Sequence, residues 1–311
     1  MFHEYALDPE ALRSWANFKY LIDQFGLDKG RLISKFPSKW KKSVYEACAG
    51  MPDGEKKNIE VALKNIDESL LFASGREFNK DLDWISNASQ SHALSEFQAI
   101  ITILERADVF GGLDHEKIRE KPTCWKSGIP PVRRKACDMA AAAEKLLKAS
   151  SDIIFVDQHY NCKPRHNRPL AAFLRNACTG STVKRLEYHM KFNGATANWF
   201  NMELEKQVRY LGLPESHELT FYRWSELPGR DEFHGRYILT ELAGVRFDVG
   251  LDESDDPDGG QTTDVAAMDD ETYRHRWMQH QPHSGIFEFV DAWKITSGSV
   301  ERLTEIPKLT K

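Results

Sequence analysis

His234 and Arg236 lie two positions apart and have side chains suited to phosphate chemistry. A short run rich in β-branched and aromatic residues follows them, and a second run follows Leu242-Ala243-Gly244. The pattern predicts a β-hairpin over residues 233–252. Side chains two apart in a strand share a face. A guanidinium that forks onto a phosphate, beside an imidazole that can donate protons or attack, would therefore form a phosphate cradle.

This stretch resembles one half of the phospholipase D-like motif, in which His-x-Lys precedes an Asp and a Gly-Ser-x-Asn element. Here Arg236 replaces the lysine, Glu241 replaces the Asp, one gap is longer by two residues, and no Ser or Asn follows Gly250. The His-x-Arg form with Gly250-Leu251-Asp252 is most similar to the phospholipase D-like domain found C-terminal to MIT domains. The resemblance covers roughly residues 150–295, about half of the chain.

The resemblance implies an α/β protein, with a helical N-terminal domain followed by a phospholipase D-like mixed sheet flanked by helices. It implies a phosphate site with His234, Arg236 and Glu241 in the catalytic positions. The MIT-associated branch binds phosphorylated lipid heads and is not known for catalysis. An enzyme of this kind would need no metal, but one His-x-Arg per chain would require a homodimer with two copies facing each other.

Apolar periodicity predicts the same sheet without reference to the family. Strands are expected at 153–156, 183–188 and 219–224, separated by helices from Pro169 and from 196, which is a βαβ pattern. Helical spacing elsewhere predicts helices through 76–108 and over 286–293. The expected domains are a helical domain at 1–75, a helical connector at 76–150, a phospholipase D-like domain at 151–296 and a fraying tail at 297–311.

Further candidate ligand contacts follow the first buried strand. Asp157 and His159 stand at the carboxyl edge, where open α/β sheets place ligands, and Asp252 comes from the Gly-Leu-Asp element. His159, Cys162 and His166 have a spacing found among metal ligands. The alternative interpretation is an ordinary polar loop. We predict no metal and no cofactor.

Two basic segments each allow two interpretations. Lys35, Lys39, Lys41 and Lys42, interleaved with Phe36 and Trp40, could contact a nucleic-acid backbone and stack on bases. Alternatively they form a solvated face whose aromatic residues enter the core. The positive cluster 133–135 lies at the start of a helix, where positive charge is unfavourable because of the helix dipole. This indicates either that the cluster binds an anionic partner or that it is solvated.

The segment 252–271 holds nine acidic residues and no basic one, and it is predicted to be a mobile acidic loop. Pro257 interrupts the spacing of a calcium-binding EF-hand loop. The chain as a whole has 311 residues and a net charge of −5, so any nucleic-acid contact must come from a local patch. Five scattered cysteines and the lack of a long apolar run predict a cytoplasmic protein with no membrane span.

The expected function is a phosphate-binding phospholipase D-like module, acting on nucleic acid in a bacterial defence or DNA-processing assembly. The assembly is a family-level analogy. The alternative is a metal-independent phosphodiesterase or nuclease with a dimeric His-x-Arg active site. A third hypothesis makes the chain an interaction surface within a larger assembly.

Overall fold

A computed structural model describes residues 2–73, 75–103, 112–120, 124–125, 130–179 and 183–307. The chain divides into two compact units, an N-terminal unit over Phe2–Gly128 and a C-terminal unit over Ile129–Lys311. Both units combine helices with a sheet, which confirms the predicted α/β class. No helix in the described ranges is long and apolar enough to cross a membrane.

The N-terminal unit is built on a five-stranded parallel sheet in the order β3-β2-β1-β4-β5. Because β2 lies on one side of β1 and β4 on the other, the sheet has a topological switch point between β1 and β4. Its strands are β1 (His3–Leu7), β2 (Arg31–Ser34), β3 (Leu71–Phe72), β4 (Ala99–Thr102) and β5 (Leu113–Asp114), and its helices are α1 (Trp15–Ile22), α2 (Trp40–Ala47), α3 (Asp53–Asn65), α4 (Trp84–Leu94) and α5 (Lys117–Glu120).

Both faces of this sheet are covered. Tyr5 and Leu7 belong to a core that includes Trp40 of α2 and residues of α1 and α3. The intervening Ala6 packs in a second core with Trp84 and Ile85 of α4. Burial on both faces is the ordinary environment of a parallel sheet.

The predicted helical N-terminal domain is therefore wrong. Its strands have two to five residues and no alternation, so periodicity could not separate them from buried helical turns. In the described part of the range 76–108, where one long helix was predicted, only Trp84–Leu94 is helical, and Ile101 belongs to β4. The end of that range lies outside the described residues. The connector predicted at 76–150 does not exist as one element, because it divides between the two units.

The C-terminal unit holds an eight-stranded mixed sheet in the order β13-β11-β10-β7-β8-β9-β14-β15, and β12 pairs with β6. The strands are β6 (Val132–Arg133), β7 (Asp152–Asp157), β8 (Arg185–Lys191), β9 (Leu219–Glu226), β10 (Arg236–Thr240), β11 (Gly244–Phe247), β12 (Thr262–Thr263), β13 (Val265–Ala267), β14 (Phe287–Ile295) and β15 (Val300–Leu303). The helices are α6 (Ala136–Ala149), α7 (Pro164–Thr179), α8 (Ala197–Gln207) and α9 (Asp270–Gln279).

The predicted strand–helix–strand pattern is confirmed, because β7, β8 and β9 are parallel neighbours. The predicted hairpin is confirmed by the antiparallel pairing of β10 with β11, and β10 also pairs antiparallel with β7. Three elements differ from the prediction. The helix expected from Pro169 begins at Pro164, and the segment 286–293, expected to be helical, lies largely in strand β14. The tail, expected to fray, forms β15, which pairs with β14.

Alternate residues of this sheet face two layers. Ile154 and Val156 of β7 pack with Tyr222 and Trp224 of β9, against Trp277 of α9. The residues between them face the opposite side, where Phe155 stacks on Phe173 of α7. Side chains at one strand end are thereby assigned to either the α7 side or the α9 side.

A buried ion pair joins β9 to β14. Arg223 lies opposite Asp291, donating from Nε at 2.7 Å and from Nη2 at 2.6 Å, and its guanidinium is packed among aromatic rings that include Phe200 and Trp293. The Asp291 carboxylate thus balances the buried positive charge of Arg223, which water cannot reach.

We predict that Asp291→Asn lowers the free energy of unfolding by about 3–5 kcal/mol, because it leaves the Arg223 charge buried without a counter-ion. Urea denaturation followed by intrinsic fluorescence measures the loss. The matched control is Glu203→Gln, which removes a surface pair with Lys206 at 2.6 Å and should cost no more than about 1 kcal/mol. Equal losses in the two variants would contradict the prediction.

Candidate functional site

The carboxyl edge of β7 gathers several of the predicted site residues. Asp157 ends β7, and Arg236, the first residue of the antiparallel β10, lies directly opposite it. The backbone N–H of Leu251 donates to Asp157 Oδ2 at 3.0 Å, which brings the Gly-Leu-Asp element to the same edge. The structure thus places Asp157, His159, Arg236 and Asp252 in one region.

Asp157 positions this edge. Its side chain is 1% exposed, and its Oδ1 accepts from the backbone N–H of His159 at 2.9 Å while Oδ2 accepts from Leu251. Burial raises the pKa of Asp157, and these two hydrogen bonds and the charge of Arg236 oppose the rise. Both carboxylate oxygens therefore accept hydrogen bonds from backbone N–H groups, and Asp157 fixes the loops that contain His159 and Leu251.

Arg236 keeps an unused hydrogen-bond donor at this edge. Its side chain is half-buried, and its Nε is buried without a hydrogen-bond partner among the residues that the structure describes. A buried N–H without an acceptor costs free energy of about 1–3 kcal/mol. An anion that reaches the guanidinium would supply the missing acceptor.

His234 does not share a strand face with Arg236, which corrects the predicted cradle. His234 precedes β10, and the intervening Gly235 has a φ of 101°, where an added Cβ would lie 2.2 Å from the Tyr237 ring. This left-handed residue breaks the alternation on which the prediction depended. The Lys191 ammonium holds the pKa of Glu226 below its ordinary value, and His234 adds to that effect.

Glu226 extends the row of β9 residues that faces α9, whereas Asp157 and Arg236 belong to the face that meets α7. The electrostatic neighbours of His234 and of Arg236 therefore lie on different sides of the sheet. His234 is exposed, and its ring has no hydrogen bond within the described part of the chain.

Glu241 lies at the far end of β10 from Arg236. Its carboxylate accepts from the backbone N–H of Ser151 at 2.6 Å, from the Ser151 hydroxyl at 3.0 Å and from the backbone N–H of Asp152 at 3.0 Å. Its predicted catalytic position is wrong, because it anchors the start of β7 while Arg236 lies beside the end of that strand.

The segment predicted to be a mobile acidic loop is instead bound to basic side chains at the starts of α6 and α7. Asp252 accepts from Arg134 Nη2 at 2.9 Å and from Arg165 Nε at 2.8 Å. Further contacts include the pairs Arg165–Asp255, Arg168–Glu253 and Lys135–Asp258 and the hydrogen bond from the Ala136 N–H to Glu253 Oε1.

These contacts answer the question posed by the cluster 133–135. Its anionic partner includes the chain's own acidic segment, because Arg134 and Lys135 bind Asp252 and Asp258. Glu253 also accepts from the first turn of α6, where a carboxylate suits the helix dipole. Asp252, predicted to contact ligand, is committed to Arg134 and Arg165.

The metal-like spacing of His159, Cys162 and His166 does not form a cluster. His159 is exposed, whereas Cys162 and His166 are buried. Burial raises the pKa of Cys162 to about 12 and lowers that of His166 to about 4. Within the described ranges no group of three His, Cys, Asp or Glu side chains is placed to hold a metal ion.

In the N-terminal unit, the basic segment matches the second of its two interpretations. Lys35 and Lys41 both bind Glu68, at 2.8 and 2.7 Å, and Lys42 pairs with Glu46 at 3.3 Å. Lys39 is exposed at the start of α2. The two aromatic residues, Phe36 and Trp40, are each 1% exposed and enter the core.

No protein-family model matches the chain. A search of curated proteins likewise finds no match.

We predict that Asp252→Asn lowers the free energy of unfolding by about 3 kcal/mol, because Arg134 and Arg165 lose the carboxylate they share. Limited proteolysis should also show faster cleavage within 252–271. Asp258→Asn is the control, since its exposed pair with Lys135 should contribute nothing measurable. Unchanged stability and cleavage in Asp252→Asn would show that the acidic segment is held by other contacts.

Proposed function

We propose that the C-terminal unit is a binding module for a phosphate-bearing ligand, and that Arg236 grips the phosphate. One observation carries the proposal. At the edge of the sheet where α/β proteins bind ligands, Arg236 has a buried Nε without a partner among the described residues. A phosphate accepts from a guanidinium through two parallel hydrogen bonds, which suits a fixed, half-buried arginine.

The neighbouring arginines support this choice by contrast. Arg134 and Arg165 lie near the same edge, and the Nε of Arg134 is also buried without a partner among the described residues, but Asp252 accepts from both side chains. Binding a phosphate through either of them would first require the loss of an existing ion pair. Arg236 can bind a phosphate without losing an ion pair. The nearby carboxylate of Asp157 accepts its hydrogen bonds from backbone N–H groups and not from Arg236.

His159 is the second contact that we assign. Its ring is exposed, and its backbone is fixed to Asp157 at 2.9 Å, so the loop presents it beside the start of β10. A neutral imidazole offers one donor to a phosphate oxygen, and a protonated one adds a positive charge. His159 should therefore strengthen binding of the phosphate.

The same geometry favours binding over hydrolysis. A histidine nucleophile is held in its reactive tautomer by a partner on the other ring nitrogen. The His234 ring has no such partner within the described residues, and Glu241 is bound at the far end of β10. Nucleic acid remains the ligand that we propose, with a phosphorylated lipid head as the other source of the same chemistry.

We predict that Arg236→Ala weakens binding of a 5′-phosphorylated single-stranded oligonucleotide by about tenfold or more, the usual effect of losing a charged hydrogen bond. Fluorescence anisotropy at fixed salt measures it. Arg209→Ala is the matched control, because Arg209 is exposed in the same unit and stacks on Tyr210.

Vesicles with and without a phosphoinositide separate the two ligand sources. Binding to the phosphoinositide vesicles alone, lost in Arg236→Ala, would retain the phosphate site and reject nucleic acid. Equal affinities of Arg236→Ala, Arg209→Ala and wild type for both probes would reject the site itself.

We further predict that the purified protein cleaves no phosphodiester in EDTA, and that His234→Ala changes oligonucleotide affinity by less than about threefold. An exposed imidazole that is not held in place adds little to the affinity beyond one hydrogen bond to the ligand. A labelled-oligonucleotide cleavage assay gives the measurement. EDTA-resistant cleavage that disappears in His234→Ala would replace the binding module with a dimeric phosphodiesterase.

A further inference from the structure

A buried histidine follows the last residue of α9. His280 is 2% exposed and packs among the rings of Phe233, Phe287 and Tyr237, at centroid distances of 5.3, 5.6 and 6.2 Å. Its Nδ1 is buried without a hydrogen-bond partner among the residues that the structure describes. A phenylalanine would fill the same aromatic space without a polar atom. The imidazole therefore brings a titratable group into an apolar core.

A second buried histidine lies beside it on β8. The rings of His189 and His280 are 6.2 Å apart and meet edge to face. The Trp224 indole N–H donates to His189 Nδ1 at 3.2 Å, which places the ring proton on Nε2, 3.1 Å from the Glu187 carboxylate. His189 is thus neutral with both ring nitrogens in hydrogen bonds, and it offers His280 no negative charge.

Positive groups lie close to the His280 ring. Arg276, one turn earlier on α9, lies over the Tyr237 ring at 5.9 Å. Burial lowers the pKa of His280 well below its ordinary value, and His189 and Arg276 lower it further. The titratable and charged groups on the elements around the ring are Arg185, Glu187, His189 and Lys191 on β8, Tyr222 and Glu226 on β9, Asp231 and His234 in the loop before β10, Tyr237 on β10, and His275 and Arg276 on α9.

The carboxylates of this group are bonded to other partners. Glu187 is bonded to His189, and Glu226 accepts from Lys191 at 2.7 Å. Asp231 accepts from the side chain of Gln279 at 3.0 Å. A proton on His280 would gain a carboxylate only by breaking one of these bonds. A charged His280 ring must therefore leave the core to be hydrated.

Helix α9 is attached to the sheet by few buried side chains. Of the ten residues Asp270–Gln279, all within the described part of the chain, Gln279 alone is buried. Tyr273 and Trp277 are partly buried against the sheet, and the Tyr273 hydroxyl donates to the Thr240 carbonyl at 2.7 Å. With so little buried apolar surface on the helix, the His280 ring contributes a large share of the attachment.

The same contacts hold the loop that leads into β10. Phe233 is fully buried against His280, and Asp231 contacts both Gln279 and the exposed His275, the latter at 3.4 Å. Arg236 follows Phe233 by three residues. The end of α9 and the loop therefore pack as one segment, which loosens as a whole when the His280 ring leaves the core.

We propose that His280 is a pH-sensitive contact, which attaches α9 and the loop before β10 to the sheet and releases them in acid. An exposed imidazole has a pKa of about 6.5, whereas the buried ring stays neutral to lower pH. The attachment is therefore complete above that pKa and weakens as the pH falls below it, because only the released state binds the proton. Between about pH 7.5 and about pH 5.5, His280 alone should raise the equilibrium constant for release about tenfold.

Hydrogen exchange of the full chain, followed by mass spectrometry at these two pH values, tests the proposal without any ligand. Protection factors are compared, since they correct for the intrinsic pH dependence of exchange. We expect the protection of 270–280 and of the peptide with Phe233 to fall about tenfold in acid. Helix α6, which contains no histidine, should keep its protection. An equal fall in α6 would overturn the proposal, because the whole unit would then be unfolding.

His280→Phe should remove this tenfold fall, because the new ring fills the same space and does not titrate. His283→Phe is the matched control: His283 is exposed three residues later, and its variant should keep the wild-type pH dependence. Equal falls in the wild type and His280→Phe would overturn the proposal, and so would protection of α9 that does not change with pH in the wild type. The comparison of α9 with α6 in the wild type tests the proposal even if His280→Phe does not fold.

Discussion

The hydrogen bonds of Asp157 are the constraint on which the C-terminal unit depends. A carboxylate buried at the end of β7 must find donors, and it takes them from the backbone of His159 and Leu251. The second bond holds residue 251 against the sheet edge. Asp252 is consequently placed between Arg134 and Arg165. Arg236, opposite Asp157 in the β7–β10 register, is left without a committed carboxylate, and its availability for a ligand follows from how the surrounding acids are used.

A related constraint acts on the N-terminal unit. Parallel strands direct their carboxyl ends to one edge, and the loops that leave this edge carry polar groups in need of partners. Asp8 satisfies this need with the Thr102 hydroxyl and the Glu10 N–H, so both of its carboxylate oxygens are used within the unit. Trp84 donates its indole N–H to the Phe36 carbonyl at 3.0 Å, which fixes the indole ring at the start of α4.

The elements of the C-terminal sheet could be predicted from sequence because their patterns were long or alternating. Val245 and Phe247 alternate with Arg246 in β11, and β7 has a continuous apolar run between two aspartates. The sheet of the N-terminal unit could not be predicted, because strands such as Leu71–Phe72 are too short to show a period. The shared face of His234 and Arg236 failed at Gly235, whose positive φ breaks a rule that holds only within a regular strand.

Charge density proved a poor guide to ligand contacts for a physical reason. The basic cluster 133–135 and the acidic segment 252–271 are more than a hundred residues apart in sequence, yet they neutralise each other in the fold. Lys35 and Lys41 likewise share Glu68, which leaves little free charge in a segment that suggested nucleic-acid contact. A binding site requires charge that folding leaves unpaired. We propose Arg236 as the phosphate contact because it keeps one buried N–H without a partner among the described residues, although its neighbourhood in the sequence is less basic than the two segments whose charges cancel.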